Sequence, residues 1–175
     1  MTIPLAARIA ARHCGAMNPA SISMTLRSPD ATADLAVAIG ACLAPGECLL
    51  LDGPIGTGKT HFARHLIKSL LLENEDVPSP TFTLVQTYDT RAGDLWHADL
   101  YRLSALDEIE ELGLSDAFDS AICLVEWPAK LGPLAPESAL TIRFRLDDTA
   151  EESRQVELQW SDAKWGRKLE MLQNV

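Results

Sequence analysis

The chain has 175 residues, 47% of them apolar and 23% charged, and a formal net charge of −10. That balance suits one globular domain with its own core and excludes a disordered or fibrous chain. No apolar run approaches the ~20 residues of a membrane-crossing helix, so no membrane partner is expected. Acidic clusters at 73–76, 107–111 and 147–152 also disfavour direct binding of bare nucleic acid.

Residues 1–20 contain Arg8 and Arg12 and no acid. Arg8 interrupts the apolar stretch Leu5 to Ala11, which makes a poor secretory signal and only faintly resembles an organellar presequence. The expectation is a disordered N-terminal extension or a misplaced start, with Met17 and Met24 just downstream. A single domain is expected over 21–175.

Within it, Ile22 to Leu26 reads as a short strand. Ser28-Pro29-Asp30 signals a helix start, with Leu35, Ile39, Cys42 and Leu43 as its apolar stripe and Pro45-Gly46 as its end. The unbroken apolar run Cys48 to Leu51 predicts a strand buried on both faces. A glycine-rich loop follows, then an amphipathic helix from about Lys59 to Leu72. Val77-Pro78-Ser79-Pro80 must be an extended loop. Thr83 to Asp89 and Leu95 to Leu103 read as two strands of a hairpin, turning at Arg91-Ala92-Gly93.

Asp107 to Leu112 predicts a short acidic helix, and Ala121 to Val125 a second buried strand ending in Glu126-Trp127-Pro128. After a proline-rich loop come late strands at Leu140 to Leu146 and Gln155 to Trp160, with Ser161 capping a final helix. The fold class is therefore α/β: a three-layer, P-loop NTPase-like mixed sheet with an antiparallel hairpin, flanked by helices. Cys14, Cys42, Cys48 and Cys123 show no ligand-like spacing. They read as reduced thiols, the last three in the core, in a reducing cytoplasmic setting.

Gly53-Pro54-Ile55-Gly56-Thr57-Gly58-Lys59-Thr60 fits G-x-x-x-x-G-K-[ST] at every fixed position. Glycines at 53, 56 and 58 let the backbone curl so that N–H groups from Ile55, Gly56, Thr57 and Gly58 onward face phosphate oxygens. The helix that follows adds the positive end of its dipole. Lys59 can reach the β- and γ-phosphates and the Thr60 hydroxyl can ligate magnesium, which points to ATP with Mg2+. A second metal anchor is expected from a carboxylate at a neighbouring strand end, and Glu126 stands there, holding the metal directly or through water.

Period-2 alternation puts His97, Asp99 and Tyr101 on one face. Asp99 can position an attacking water, assist the metal, or serve only in a salt bridge. Thr81, after two prolines, is either a γ-phosphate sensor or a strand-start threonine. His61 and His65 share a helix face but lack the glutamate of a zinc-protease motif. His97 reads as a satisfied core residue, and Trp96 and Trp160 as core or interface aromatics.

The loop, Ser79-Pro80-Thr81-Phe82-Thr83-Leu84, His97-Ala98-Asp99-Leu100-Tyr101-Arg102-Leu103 and Leu124-Val125-Glu126-Trp127-Pro128 occur here in the order in which the TsaE family has them. The chain resembles that family over roughly residues 22–160, and the three later strings are more specific than the loop. The resemblance implies an ATPase of tRNA threonylcarbamoyladenosine biosynthesis. It would be slow by itself and act on a TsaD–TsaB heterodimer, which it resets between turnovers, so tRNA is met only indirectly. It further implies phosphate and magnesium binding by Lys59 and Thr60, a magnesium ligand in Glu126, and a need for Asp99 in hydrolysis. Thr81 falls in a nucleotide-responsive loop and Trp127 beside the site. Thr32 resembles a family threonine near the nucleotide, and Arg154 a family arginine. Pro54 and Thr57 depart from the family's usual acid and alanine and resemble AAA+ ATPases instead. The alternative reading is a small-molecule P-loop kinase, although no arginine-rich lid follows the loop. Only 49 residues follow Glu126, too few for an AAA+ lid.

Overall fold

The computed structural model describes residues 19–173. Most of the extension expected over 1–20 lies outside the described residues. Its last residue, Ala20, opens a strand rather than belonging to a tail.

Seven strands form one mixed sheet: β1 (Ala20–Leu26), β2 (Cys48–Asp52), β3 (Val85–Thr90), β4 (Gly93–Asp99), β5 (Ile122–Glu126), β6 (Leu140–Leu146) and β7 (Arg154–Trp160), in the order β1-β7-β6-β2-β5-β4-β3. The centre is parallel, with β2 between β6 and β5 and β4 beyond β5, while β1, β7 and β3 are antiparallel to their neighbours. The central strands are buried on both faces, as their unbroken apolar runs require.

On one face α1 (Pro29–Gly40) and α2 (Lys59–Leu70) cover a core of Leu49, Leu51, Phe62, Leu66, Leu124 and Phe144. On the other, α3 (Leu106–Glu111), α4 (Leu114–Ser120) and a 3-10 segment at Pro128–Leu134 cover Leu50, Cys123, Val125 and Leu131. Two short helices, α5 (Ala163–Lys168) and α6 (Glu170–Gln173), close the described chain, and Trp165 of α5 joins the first core. This is the expected three-layer α/β fold.

The boundaries moved where local hydrogen bonding competes with the regular element. The strand expected to run to Leu103 stops at Asp99, because its carboxylate accepts the Tyr101 N–H at 2.9 Å and turns the chain. Tyr101 is thus no strand neighbour of Asp99. The strand expected from Thr83 starts at Val85, because the Leu84 N–H donates to the Pro80 carbonyl and Leu84 sits at φ 66°. The helix expected to reach Leu72 ends at Leu70, and Leu71 bridges to Thr90. Asp162, not Ser161, caps α5 by accepting from Lys164 N–H. Helix α4 was not foreseen. Gly113 at φ 78° separates it from α3.

Trp160 is a core residue and Trp96 packs half-buried on the second core. Cys42, Cys48 and Cys123 are free thiols. Burial pushes the Cys123 thiol up to about 12 and Cys48 well above its ordinary value, so both are inert packing groups.

Candidate functional site

The site forms where β2, β5 and β4 end beside the start of α2. Parallel registers pair Leu51 with Glu126 and Glu126 with Asp99, so two carboxylates emerge side by side at the C-terminal edge of the sheet. The loop from Gly53 to Gly58 arches over that edge. Gly53 has φ 141°, and a Cβ there would collide with the Phe144 carbonyl oxygen, so only glycine lets the loop leave the sheet. Gly56 and Gly58, at φ 78° and 102°, differ: a Cβ on either would meet nothing within 4 Å. The space before them is an open cradle.

Helix α2 begins at Gly58 with no side-chain cap, whereas the Ser28 hydroxyl caps α1 by accepting from the Ala31 N–H. Its first-turn N–H groups therefore remain available to an anion. Lys59 Nζ donates to the Gly53 and Pro54 carbonyls at 2.7 and 2.8 Å and lies 4.2 Å from the centre of the Trp127 ring. An ammonium has three donors, so one is left for a ligand. Burial pulls the Lys59 ammonium below the usual lysine value, and the charges of Glu126, Asp99 and Asp52 oppose that pull.

Two hydroxyl–carboxylate pairs complete the floor. Thr60 Oγ1 donates to Glu126 Oε2 at 2.9 Å, and Thr81 Oγ1 donates to Asp99 Oδ2 at 2.8 Å. A cavity of about 330 Å³ opens between them, walled by Ile55, Gly56, Gly58, Lys59, Thr60, Thr81, Asp99, Glu126 and Trp127, and also by His61 and Tyr101. Thr60 and Glu126 offer hard oxygens on one side of an uncapped helix start, a donor set that suits magnesium beside phosphate. The residues present fit a metal–nucleotide pair.

The family model described as "Threonylcarbamoyl adenosine biosynthesis protein TsaE" matches residues 26–156. The chain belongs to the TsaE family. The tRNA threonylcarbamoyladenosine biosynthesis protein TsaE of Rickettsia bellii is 41% identical over 123 residues, covering 70% of this chain and 85% of that one. The protein of the same name from Bacillus subtilis is 36% identical over 116 residues, 66% and 72% of the two chains. The crystal structure of Bacillus subtilis YdiB superposes with a TM-score of 0.70 at 24% identity, over 91% of this chain and 98% of that one, and shows the same fold.

Of the family-matched positions, most converge on the cavity. Thr57 serves the loop from beneath: it is buried and its hydroxyl donates to the Pro54 carbonyl at 2.8 Å. Thr32 and Arg154 are not on the cavity wall. Thr32 is buried in α1 with its hydroxyl donating to the Ser28 carbonyl, one turn earlier in its own helix. The Arg154 guanidinium donates to the Glu151 and Ser153 carbonyls at the β6–β7 turn, and β6 separates its strand from β2.

The sequence reading missed two wall residues and one neighbour. His61 lines the cavity, and its Nε2 donates to the Pro29 carbonyl at 3.0 Å. Tyr101 lines it with its ring packed at a tilt against Trp127, ring centres 4.9 Å apart. His97, read as a satisfied core residue, is fully buried with Nε2 2.9 Å from Glu126 Oε1, and its Nδ1 has no partner among the described residues. Its alternation with Asp99 was the signal that it faces the same way. The rings of His61 and His65 lie 4.4 Å apart on α2.

Proposed function

We propose that this chain binds Mg-ATP and hydrolyses it slowly by itself, and that it thereby supports formation of N6-threonylcarbamoyladenosine in tRNA. On this reading it works in the cytoplasm by acting on a TsaD–TsaB complex and meets tRNA only through those partners. Among the described residues no helix is long and apolar enough to cross a membrane. Family membership supports the pathway. The observation that carries the nucleotide chemistry is the 2.9 Å hydrogen bond from Thr60 to Glu126, which ties the glycine-rich loop to the end of β5.

The loop and the start of α2 would surround the phosphates with N–H groups, and Lys59 would turn its remaining donor to the β–γ region. Thr60 and Glu126 would hold magnesium, which when bound screens the phosphate charge. Asp99 lies across the cavity with one oxygen engaged by Thr81 and the other by the Tyr101 N–H. Each carboxylate oxygen has a second lone pair, so Asp99 can still orient a water toward the terminal phosphorus.

The kinase alternative gains nothing here. Arg143 and Arg145 lie on β6, and Arg143 is committed to Asp52 at 2.9 Å rather than free to form a lid. The test is calorimetry of ATP binding in magnesium buffer, with a pull-down of TsaD and TsaB homologues with and without ATP. Wild type should bind and retain them. Lys59→Ala should weaken ATP by about tenfold to a hundredfold, the worth of a charge-assisted hydrogen bond or two. Phosphorylation of a metabolite with no partner retained would replace this reading with the kinase.

A further inference from the structure

We propose that His97 is a positioning residue of the metal site: it fixes the Glu126 carboxylate so that Oε2 faces Thr60 and the phosphate loop. This rests on the Mg-ATP reading above.

His97 lies on the face of β4 that packs against α2, between Leu95 and Asp99, and across from Leu124 of β5. It is 0% exposed. An imidazole among such neighbours gives up its hydration, and its Nδ1 has no partner among the described residues. Leaving a buried polar atom unsatisfied costs on the order of 1–3 kcal/mol. Packing alone would be better served by leucine or phenylalanine, so the residue is not explained by core stability.

The hydrogen bond that the His97 side chain makes does explain it. Glu126 is 2% exposed, and its two oxygens are divided between two donors, His97 Nε2 at 2.9 Å on Oε1 and Thr60 Oγ1 at 2.9 Å on Oε2. A carboxylate accepts, so Nε2 carries a hydrogen, and in the neutral ring Nδ1 then presents a lone pair. An orphaned acceptor is the less costly choice for the far nitrogen. With both oxygens engaged the carboxylate cannot rotate freely. The Thr60 hydroxyl, having given its proton to Oε2, has only lone pairs left to offer a cation. Remove the histidine and Oε1 is buried without a donor, and the carboxylate is free to turn away from Thr60. This is how a partner one step removed from a metal sets the ligand's orientation.

The test compares wild type, His97→Leu and His97→Gln as full chains. Manganese affinity of the ATP complex is read by electron paramagnetic resonance with MnCl2, and ATP affinity in EDTA by calorimetry. His97→Leu should lose about tenfold to a hundredfold in manganese affinity while metal-free ATP affinity changes less than about twofold. His97→Gln, whose amide can still donate, should recover most of the loss. Manganese binding by the leucine variant equal to wild type would overturn the inference. So would an equal loss with and without metal, or a folded glutamine variant as weak as the leucine one. Should His97→Leu not fold, His97→Phe stands in for it under the same outcomes. Absence of ATP binding by wild type would instead sink the underlying Mg-ATP reading.

Discussion

The two walls of the cavity are held by different means. On the α2 side, Thr57, Lys59 and Glu126 are all buried and each is tied by at least one hydrogen bond to the loop or the sheet. On the opposite side, the segment from Ser79 to Leu84 is a turn on the surface, with Phe82 84% exposed and Leu84 in the left-handed region. Thr81 joins that turn to the sheet by donating to Asp99, and the Ser79 hydroxyl lies 2.8 Å from it. Both carboxylates are buried at the edge of the sheet, but Glu126 faces a packed loop and helix, whereas Asp99 is the point to which a surface turn is fastened. A fixed wall suits the part of a nucleotide that never varies, its phosphates and metal. A wall tied down by a hydroxyl–carboxylate bond suits a group whose presence must be registered.

The largest effect should come from breaking the fixed wall. Gly53→Ala drives a Cβ into the Phe144 carbonyl at φ 141° and should destabilise the fold by about 3 kcal/mol or more, or about 10 °C in Tm. ATP binding should go with it. Gly56→Ala sharpens the point. Its Cβ meets nothing, so only the left-handed penalty of about 1–2 kcal/mol remains, yet the methyl stands in the cradle and ATP binding should still fail. Thermal melts and calorimetry on the pair separate folding from ligand contact. Equal Tm losses would mean that Gly53 has no special role in the loop's exit from the sheet.

Next in size is a break confined to the other wall. Asp99→Asn keeps its one acceptor oxygen for the Tyr101 N–H and turns an amide NH2 toward the Thr81 hydroxyl, which can accept in its place, but removes the charge facing the cavity. Single-turnover hydrolysis should fall by about a hundredfold or more, while ATP affinity changes less than about threefold and Tm hardly moves. If affinity falls as far as turnover, the two walls do not divide the work as described.

The fixed wall was largely legible in the amino-acid sequence and the other wall was not, for a physical reason. The loop from Gly53 to Thr60 is a local device whose residue types and spacing are set by the phosphates, and the apolar runs before it and before Glu126 place both strand ends. Asp99 was legible through alternation alone. The path after it was not, because an acid that captures the Tyr101 N–H ends its own strand, and that competition depends on a side-chain rotamer. The pairing of His97 with Glu126 needs the register of β4 against β5, which no local pattern encodes. Thr32 and Arg154 rested on string matches alone, and in the fold each spends its polar atoms on carbonyls of its own segment, off the cavity wall.

The smallest effect comes from a third carboxylate, far from both walls, which asks whether being gripped by hydrogen bonds is itself a mark of function. Asp147, in the β6–β7 turn, accepts from the Thr149 N–H and hydroxyl on Oδ1 and from Ser153 and Gln155 on Oδ2. Those bonds, the Thr149 hydroxyl first, hold its carboxyl down to about 2. A depressed carboxylate stabilises the fold above the unfolded chain's value of about 3.9, and that contribution disappears as pH falls toward the folded value of about 2. Asp147→Asn should thus flatten the dependence of Tm on pH between about 4 and 2, with a shift small enough to be expected of an exposed turn. At neutral pH its ATP affinity should match wild type. Weakened binding in this variant would connect the hairpin turn to the cavity and undo the distinction between a carboxylate that merely closes a turn and the two that face the cavity.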